Sequence, residues 1–156
     1  MSAEKTPAPV RPEADVEKRV TGASNELFKF IGLKGQTKRT YPMRLPCSDY
    51  PADAPAFRLE HTWLFWGAPE EQLKESMDRL RKQLPANNWK IVKDGRDGSQ
   101  ANAPQIIADS GDGQVSADLR LFTRPPDGEY GSEIQVVVAS RCYGAEPTNS
   151  PPPPTP

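Results

Sequence analysis

Phe57-Arg-Leu-Glu-His-Thr-Trp-Leu-Phe-Trp66, followed by Gly67-Ala-Pro-Glu-Glu-Gln-Leu73, is the stretch whose reading decides the fold. Phe57, Leu59, His61, Trp63 and Phe65 alternate with Arg58, Glu60, Thr62 and Leu64, the period of a strand with one buried face. Gly67 and Pro69 then open a helix in which Leu73, Met77, Leu80 and Leu84 make one apolar stripe. Glu70 and Glu71 complement its positive end; Arg79, Arg81 and Lys82 complement the negative one. Pro85, which lacks the N–H a helix interior needs, is expected to stop it.

Strands follow. Trp89–Val92 is expected to end at the turn signal Asp94-Gly95, and Gln105–Ala108 to pair with Val115–Phe122 across Ser110-Gly-Asp-Gly113. Pro125-Pro-Asp-Gly128 marks the next turn. Ile134–Ser140, apolar on both parities, reads as a central strand. The expectation is an α+β fold, a mainly antiparallel sheet of four to five strands in the order β-α-β-β-β-β. One amphipathic helix packs on one face.

Working outward, residues 45–143 form the folded body. Residues 13–44 read as a partly helical segment and a basic linker. Val16, Val20, Leu27 and Ile31 keep a helical spacing, but Thr21-Gly22 interrupts it, so Asn25–Ile31 is the part expected to be ordered. Lys34, Lys38, Arg39 and Arg44 follow with no acid between them, a solvated linker or a contact for an anionic surface. Residues 1–12 and 144–156 are expected to be disordered. Six of the 18 prolines lie between Pro147 and Pro156, in a tail with too little apolar surface to repay ordering.

A formal charge of -1 argues against nucleic acid, whose phosphates demand a basic excess. No apolar run approaches the roughly 18 residues that span a bilayer. Apolar residues after Met1 are scattered among Glu, Lys and Pro, unlike an export signal. An exported chain is then expected to carry its signal or anchor outside these residues, and to meet the membrane only through it.

Cys47 precedes the first body strand and Cys142 follows the last, where a staple between the ends of the domain belongs. A bridge would close a loop of about 96 residues, worth roughly 4–5 kcal/mol in the chain-entropy account. It would also imply an oxidising compartment. Two unrelated thiols are the other reading.

Leu45-Pro-Cys-Ser-Asp49, the helix from Gly67 through Leu80 to Leu84-Pro85, Asn88-Trp89 and Ser140-Arg-Cys142 together resemble small extracytoplasmic domains of actinobacteria. These are lipoprotein-like or membrane-anchored domains of unknown function. The resemblance covers roughly residues 45–143 and implies a secreted or surface-anchored domain with its two cysteines paired. It supplies no catalytic residue.

No catalytic, cofactor or metal site is expected. His61, the one histidine, lies on the core parity and reads as a packed residue. A Cys47–His61 nucleophile pair needs a reduced thiol, which the disulfide reading denies it. Zinc needs three or four ligands at characteristic spacing. Asp94-Gly-Arg-Asp-Gly98 lacks the alternate ligands of a calcium loop. The surface clue is aromatic. Leu64 and Trp66 take the parity opposite the core, so the second sheet face is either a partner-binding patch or lies under Leu27, Phe28 and Ile31. The leading expectation is a non-enzymatic extracytoplasmic domain that binds a protein or envelope component. The alternatives are a hydrolase using Cys47 or dispersed carboxylates, and a cytosolic adaptor docking through its proline tail.

Overall fold

The alternating stretch is the centre of the molecule. A computed structural model of the chain describes residues 8–51, 55–125 and 131–146. In chain order the elements are α1 (Glu13–Ile31), β1 (Gln36–Arg39), β2 (Met43–Pro46), β3 (Ala56–Trp66) and α2 (Glu70–Ala86). Then come β4 (Trp89–Arg96), β5 (Pro104–Ser110), β6 (Val115–Phe122), β7 (Glu133–Ser140) and β8 (Tyr143–Gly144). The strands form one antiparallel sheet in the order β1-β3-β7-β6-β5-β4, with β2 and β8 also paired to β3. The α+β class and the antiparallel sheet match the sequence reading, and β7 is interior as expected.

Two numbers differ from expectation. The described sheet has eight strands rather than four or five, and two helices rather than one lie on it. The extra strands are short. β1 and β2 are basic and largely exposed, so they carry no hydrophobic alternation to read; backbone pairing with the outer edge of β3 makes them strands. The stretch expected as a basic linker is therefore sheet edge. β8 is a two-residue continuation beyond β7 that pairs with Ala56 and Phe57.

α1 runs unbroken through Thr21-Gly22. Val16, Val20, Ala23, Leu27 and Ile31 are all buried, while Gly22 faces open space, so its cost of about 1 kcal/mol is offset by the burial around it. Gly32, at φ 65°, takes the left-handed turn that ends the helix. The carbonyl of Ile31 accepts bonds from Ser76 Oγ at 2.7 Å and Arg79 Nη2 at 2.8 Å, so α2 satisfies a group orphaned at the end of α1. The chain then passes so close to β3 that a Cβ on Gly35 would lie 2.6 Å from the Trp66 carbonyl oxygen.

Three smaller differences have local causes. Pro85 lies inside the last turn of α2, which extends to Ala86 and is closed by Asn87 N–H on the Leu84 carbonyl. Pro85 forfeits the bond that its N–H would have made to the Arg81 carbonyl, and the helix ends one residue later. β4 continues past Asp94-Gly95 to Arg96, shifting register at a bulge between Ile91 and Lys93. At the amino end, within the stretch expected to be disordered, the Pro9 carbonyl accepts from Gly144 N–H at 2.9 Å, and Val10 forms a bridge beside β8. Residues 1–7, most of the Pro125–Gly128 turn and the tail beyond Glu146 lie outside the described residues.

Cys47 and Cys142, 95 positions apart in sequence, form a disulfide with their Cα atoms 6.0 Å apart. It joins the end of β2 to the β7–β8 junction. Both places depend on β3, so the staple holds the two flanks of that strand together. Replacing both cysteines with serine is expected to cost roughly 2–4 kcal/mol, measured by urea unfolding. Thiol alkylation followed by intact mass should find no reactive thiol until reductant is added. Leu27→Ala, which empties the seam between α1 and the sheet, is expected to cost about 2–5 kcal/mol on the same assay. A value near zero would mean that α1 is not part of the cooperative unit.

Candidate functional site

The placement of α1 determines which surface is left for function. It packs on β3, β7 and β6 and against α2, and it does so on the core face of the sheet. Phe28 sits 6.2 Å, ring centre to ring centre, from both Trp63 and Phe65, two core-parity residues. Trp89 Nε1 donates to Glu26 Oε1 at 2.8 Å, tying α1 to the start of β4. Leu27, Phe28 and Ile31 therefore do not cover Leu64 and Trp66. Among the described residues no helix lies on the second face.

One polar pair is enclosed on the core side. Ser24 Oγ and His61 Nδ1 share a hydrogen bond of 2.7 Å, with Ser24 at 0% and His61 at 3% exposure. A serine–histidine contact has the components of a nucleophile and base, but neither atom is within reach of a substrate. Burial pushes the imidazole below its ordinary 6.5; a backbone hydrogen bond with Thr40 opposes this, and the charge on Arg39 adds to it. Arg39 itself caps the seam, its guanidinium carbon 4.9 Å from the Trp63 ring centre and 5.5 Å from that of Phe28.

The open face can be laid out from the strand register. Trp66 faces Glu133, and Glu133 faces Phe122 on its other side. The next row is Leu64, Gln135, Arg120 and Gln105; the one after that is Thr62, Val137, Asp118 and Ile107. Between β3 and β6 the charges of this face are paired. Arg58 meets Glu60 at 3.2 Å, Arg120 meets Asp118 at 3.0 Å and Asp97 at 3.3 Å, and Arg124 meets Glu133 at 2.9 Å. Hydrogen bonds from Ser99 Oγ and N–H, with a further one from Ala103 N–H and the charge of Arg120, lower the Asp97 carboxyl against the opposing effect of burial. The residues of the Asp94–Gly98 cluster thus close a loop. Among the described residues no group of three or more His, Cys, Asp or Glu side chains is placed to hold a metal.

A second concavity, about 700 Å³, opens between α2 and the β4–β5 hairpin. Met77, Leu121 and Phe122 give it an apolar lining, and Arg81, bonded to Asp78 at 2.6 Å and to Asp94 at 2.9 Å, stands at its rim. Leu121 and Phe122 have opposite parity on β6, so the cleft reaches round the end of that strand to the open face.

Leu64 and Trp66 thus fall on the same helix-free surface. The sequence reading missed Phe122 and Glu133, which join Trp66 only through pairing with β7. Their parity within their own strands was readable; which residue of β3 they oppose was not. No protein-family model, curated protein or solved structure matches the chain. No helix among the described residues is long and apolar enough to cross a membrane.

The histidine supplies a pH test. Its folded pKa lies below the unfolded value, so the unfolded chain takes up the proton first as pH falls. The stability it contributes is complete above pH 6.5 and is lost as pH drops through the folded pKa. Urea midpoints measured from about pH 7.5 to about pH 5 should fall more steeply for wild type than for His61→Gln. Parallel profiles would remove the histidine from the account.

Proposed function

We propose that the chain is a non-enzymatic extracytoplasmic domain that binds a protein or cell-envelope component through its helix-free sheet face. The observation that carries this reading is that both helices stack on one side of the sheet, leaving Leu64, Trp66, Val137, Ile107 and Phe122 half-buried on the other. Among the described residues the sheet is covered by helices on one side only, which leaves apolar area that a partner can remove from water.

The paired charges support the same reading. Side chains that already hold counter-ions lose less on desolvation than isolated ones, so a partner can settle over Arg58–Glu60 and Arg120–Asp118 without stripping a lone charge. The disulfide is consistent with an oxidising compartment and uses the thiol that a Cys47 hydrolase would require. Enclosure of Ser24 and His61 argues against their use as a nucleophile and base. The likeness to actinobacterial surface domains fits a secreted or anchored protein, and we hold it as part of this proposal.

A photo-reactive phenylalanine analogue at position 64, with position 18 on the outer side of α1 as the control, tests the face directly. Irradiated with envelope extracts of the producing organism, position 64 should form a discrete adduct and position 18 none. Trp66→Ser should then weaken the same partner by about tenfold or more. Equal labelling at both positions, or none at either, overturns the proposal.

A further inference from the structure

β1 and β2 are successive pieces of one edge strand. Both run antiparallel to β3 on its outer side, β1 against residues 63–66 and β2 against residues 57–60. Between them the three residues Thr40, Tyr41 and Pro42 stand opposite only His61 and Thr62, so the edge holds one residue too many and bulges. Thr40 Oγ1 donates to the Thr62 carbonyl at 3.2 Å and ties one side of the bulge to the sheet. Tyr41 is left 90% exposed, and Met43, where pairing resumes, is 63% exposed. They are two of the four large apolar side chains that stand exposed among the described residues. A bulge that served only to prevent strand addition would need no large apolar group at its crest.

The charge around this crest is of one sign. Residues 34–48 hold Lys34, Lys38, Arg39 and Arg44 and no acid. Arg44 is met by Glu13 at 3.0 Å, whereas Arg39 donates to the neutral side chain of Asn25. Glu60, the residue of β3 opposite Met43, is held by Arg58. Lys34 and Lys38 are exposed, and among the described residues no carboxylate meets either. The edge therefore joins an exposed phenol ring and a thioether to lysines whose charge is uncompensated.

We propose that this edge is a membrane-surface contact, in which Tyr41 and Met43 enter the headgroup layer of an anionic lipid bilayer and Lys34 and Lys38 meet the lipid phosphates. Each basic side chain held near such a surface adds attraction, and tyrosine settles where its ring is in apolar surroundings and its hydroxyl is wet. A protruding crest suits a soft phase, whereas a protein partner would have to offer a socket for it. Pro42 has no N–H and the Thr40 hydroxyl is already bonded, so the crest carries few donors that lose water on entry. Two apolar side chains and a few charges give a peripheral, reversible contact. It is a direct contact, where the sequence reading expected the membrane to be met only through an anchor. It goes beyond the sheet-face interface and does not depend on it.

The test is flotation of the full chain with vesicles of equimolar phosphatidylglycerol and phosphatidylcholine, against vesicles of phosphatidylcholine alone. Wild type should bind the anionic vesicles about tenfold or more tighter than the neutral ones. It should be released as sodium chloride rises from about 0.05 M to about 0.5 M. Lys34→Gln combined with Lys38→Gln should lose about tenfold, and Tyr41→Ser combined with Met43→Ser should lose about as much. Tyr41→Trp should bind tighter. Near-UV circular dichroism reports whether each variant folds, and if one does not, wild type on the two vesicle types still decides. Equal flotation with both vesicle types, or a folded Tyr41→Ser, Met43→Ser protein that floats like wild type, overturns the contact. Retention on immobilised polyglutamate without flotation makes the edge a site for an acidic protein and overturns the lipid reading. If flotation fails while position 64 still forms its adduct, the membrane contact falls and the sheet-face interface stands; flotation without the adduct gives the reverse.

Discussion

The structure depends on the strict alternation of β3. One of its parities, Phe57 to Phe65, is buried without exception, and its backbone pairs with β1, β2, β7 and β8. A shift of one residue would turn Trp63 and Phe65 into solvent and bring Glu60 and Thr62 into the core. β6 alternates as strictly but pairs with β5 and β7 alone. The disulfide reinforces that choice, because it spans the element before β3 and the junction after its partner β7.

Given that register, the helices have little freedom. Trp63 and Phe65 are large and lie next to the outer edge of the sheet, where α2 alone does not reach: α2 packs on β4, β6 and β7. Phe28 and Leu27 of α1 supply the missing cover, and Arg39 closes the seam from above. The far end of α1 is fixed by Arg19 on Asp112. Burial raises that carboxyl, but bonds from Ser110 Oγ, Gln114 N–H and Arg19 outweigh it and bring it down to about 2. Both helices are thus committed to one face, and that no helix among the described residues lies on the other is a consequence of how the core is filled.

This division explains what the sequence made legible. Elements that bury a periodic apolar face were readable: β3, α2, the β5–β6 hairpin and the interior β7 all lie within a few residues of their expected positions. Elements that exist by backbone pairing alone were not. β1 and β2 expose Gln36, Lys38 and Met43, and their side chains resemble those of a linker. Gly22 misled in the opposite direction, because a glycine on the exposed side of a helix leaves the buried stripe intact. At the site, parity placed Leu64 and Trp66 on the second face, but neither the position of α1 nor the alignment of Glu133 with Trp66 follows from one strand read by itself.

The same reasoning bears on how the proposed interface would work. A bare sheet face that only needed to remain soluble would carry exposed charges at each outward position, as β4 nearly does with Lys90 and Lys93. Between β3 and β6 the outward positions instead alternate half-buried apolar groups with ion pairs closed within the face. Such a surface has low net charge and little unpaired polar area, so association with the proposed partner would be driven mainly by shape and apolar contact. Specificity must then come from the few places where a charge is deep and its counter-ion replaceable.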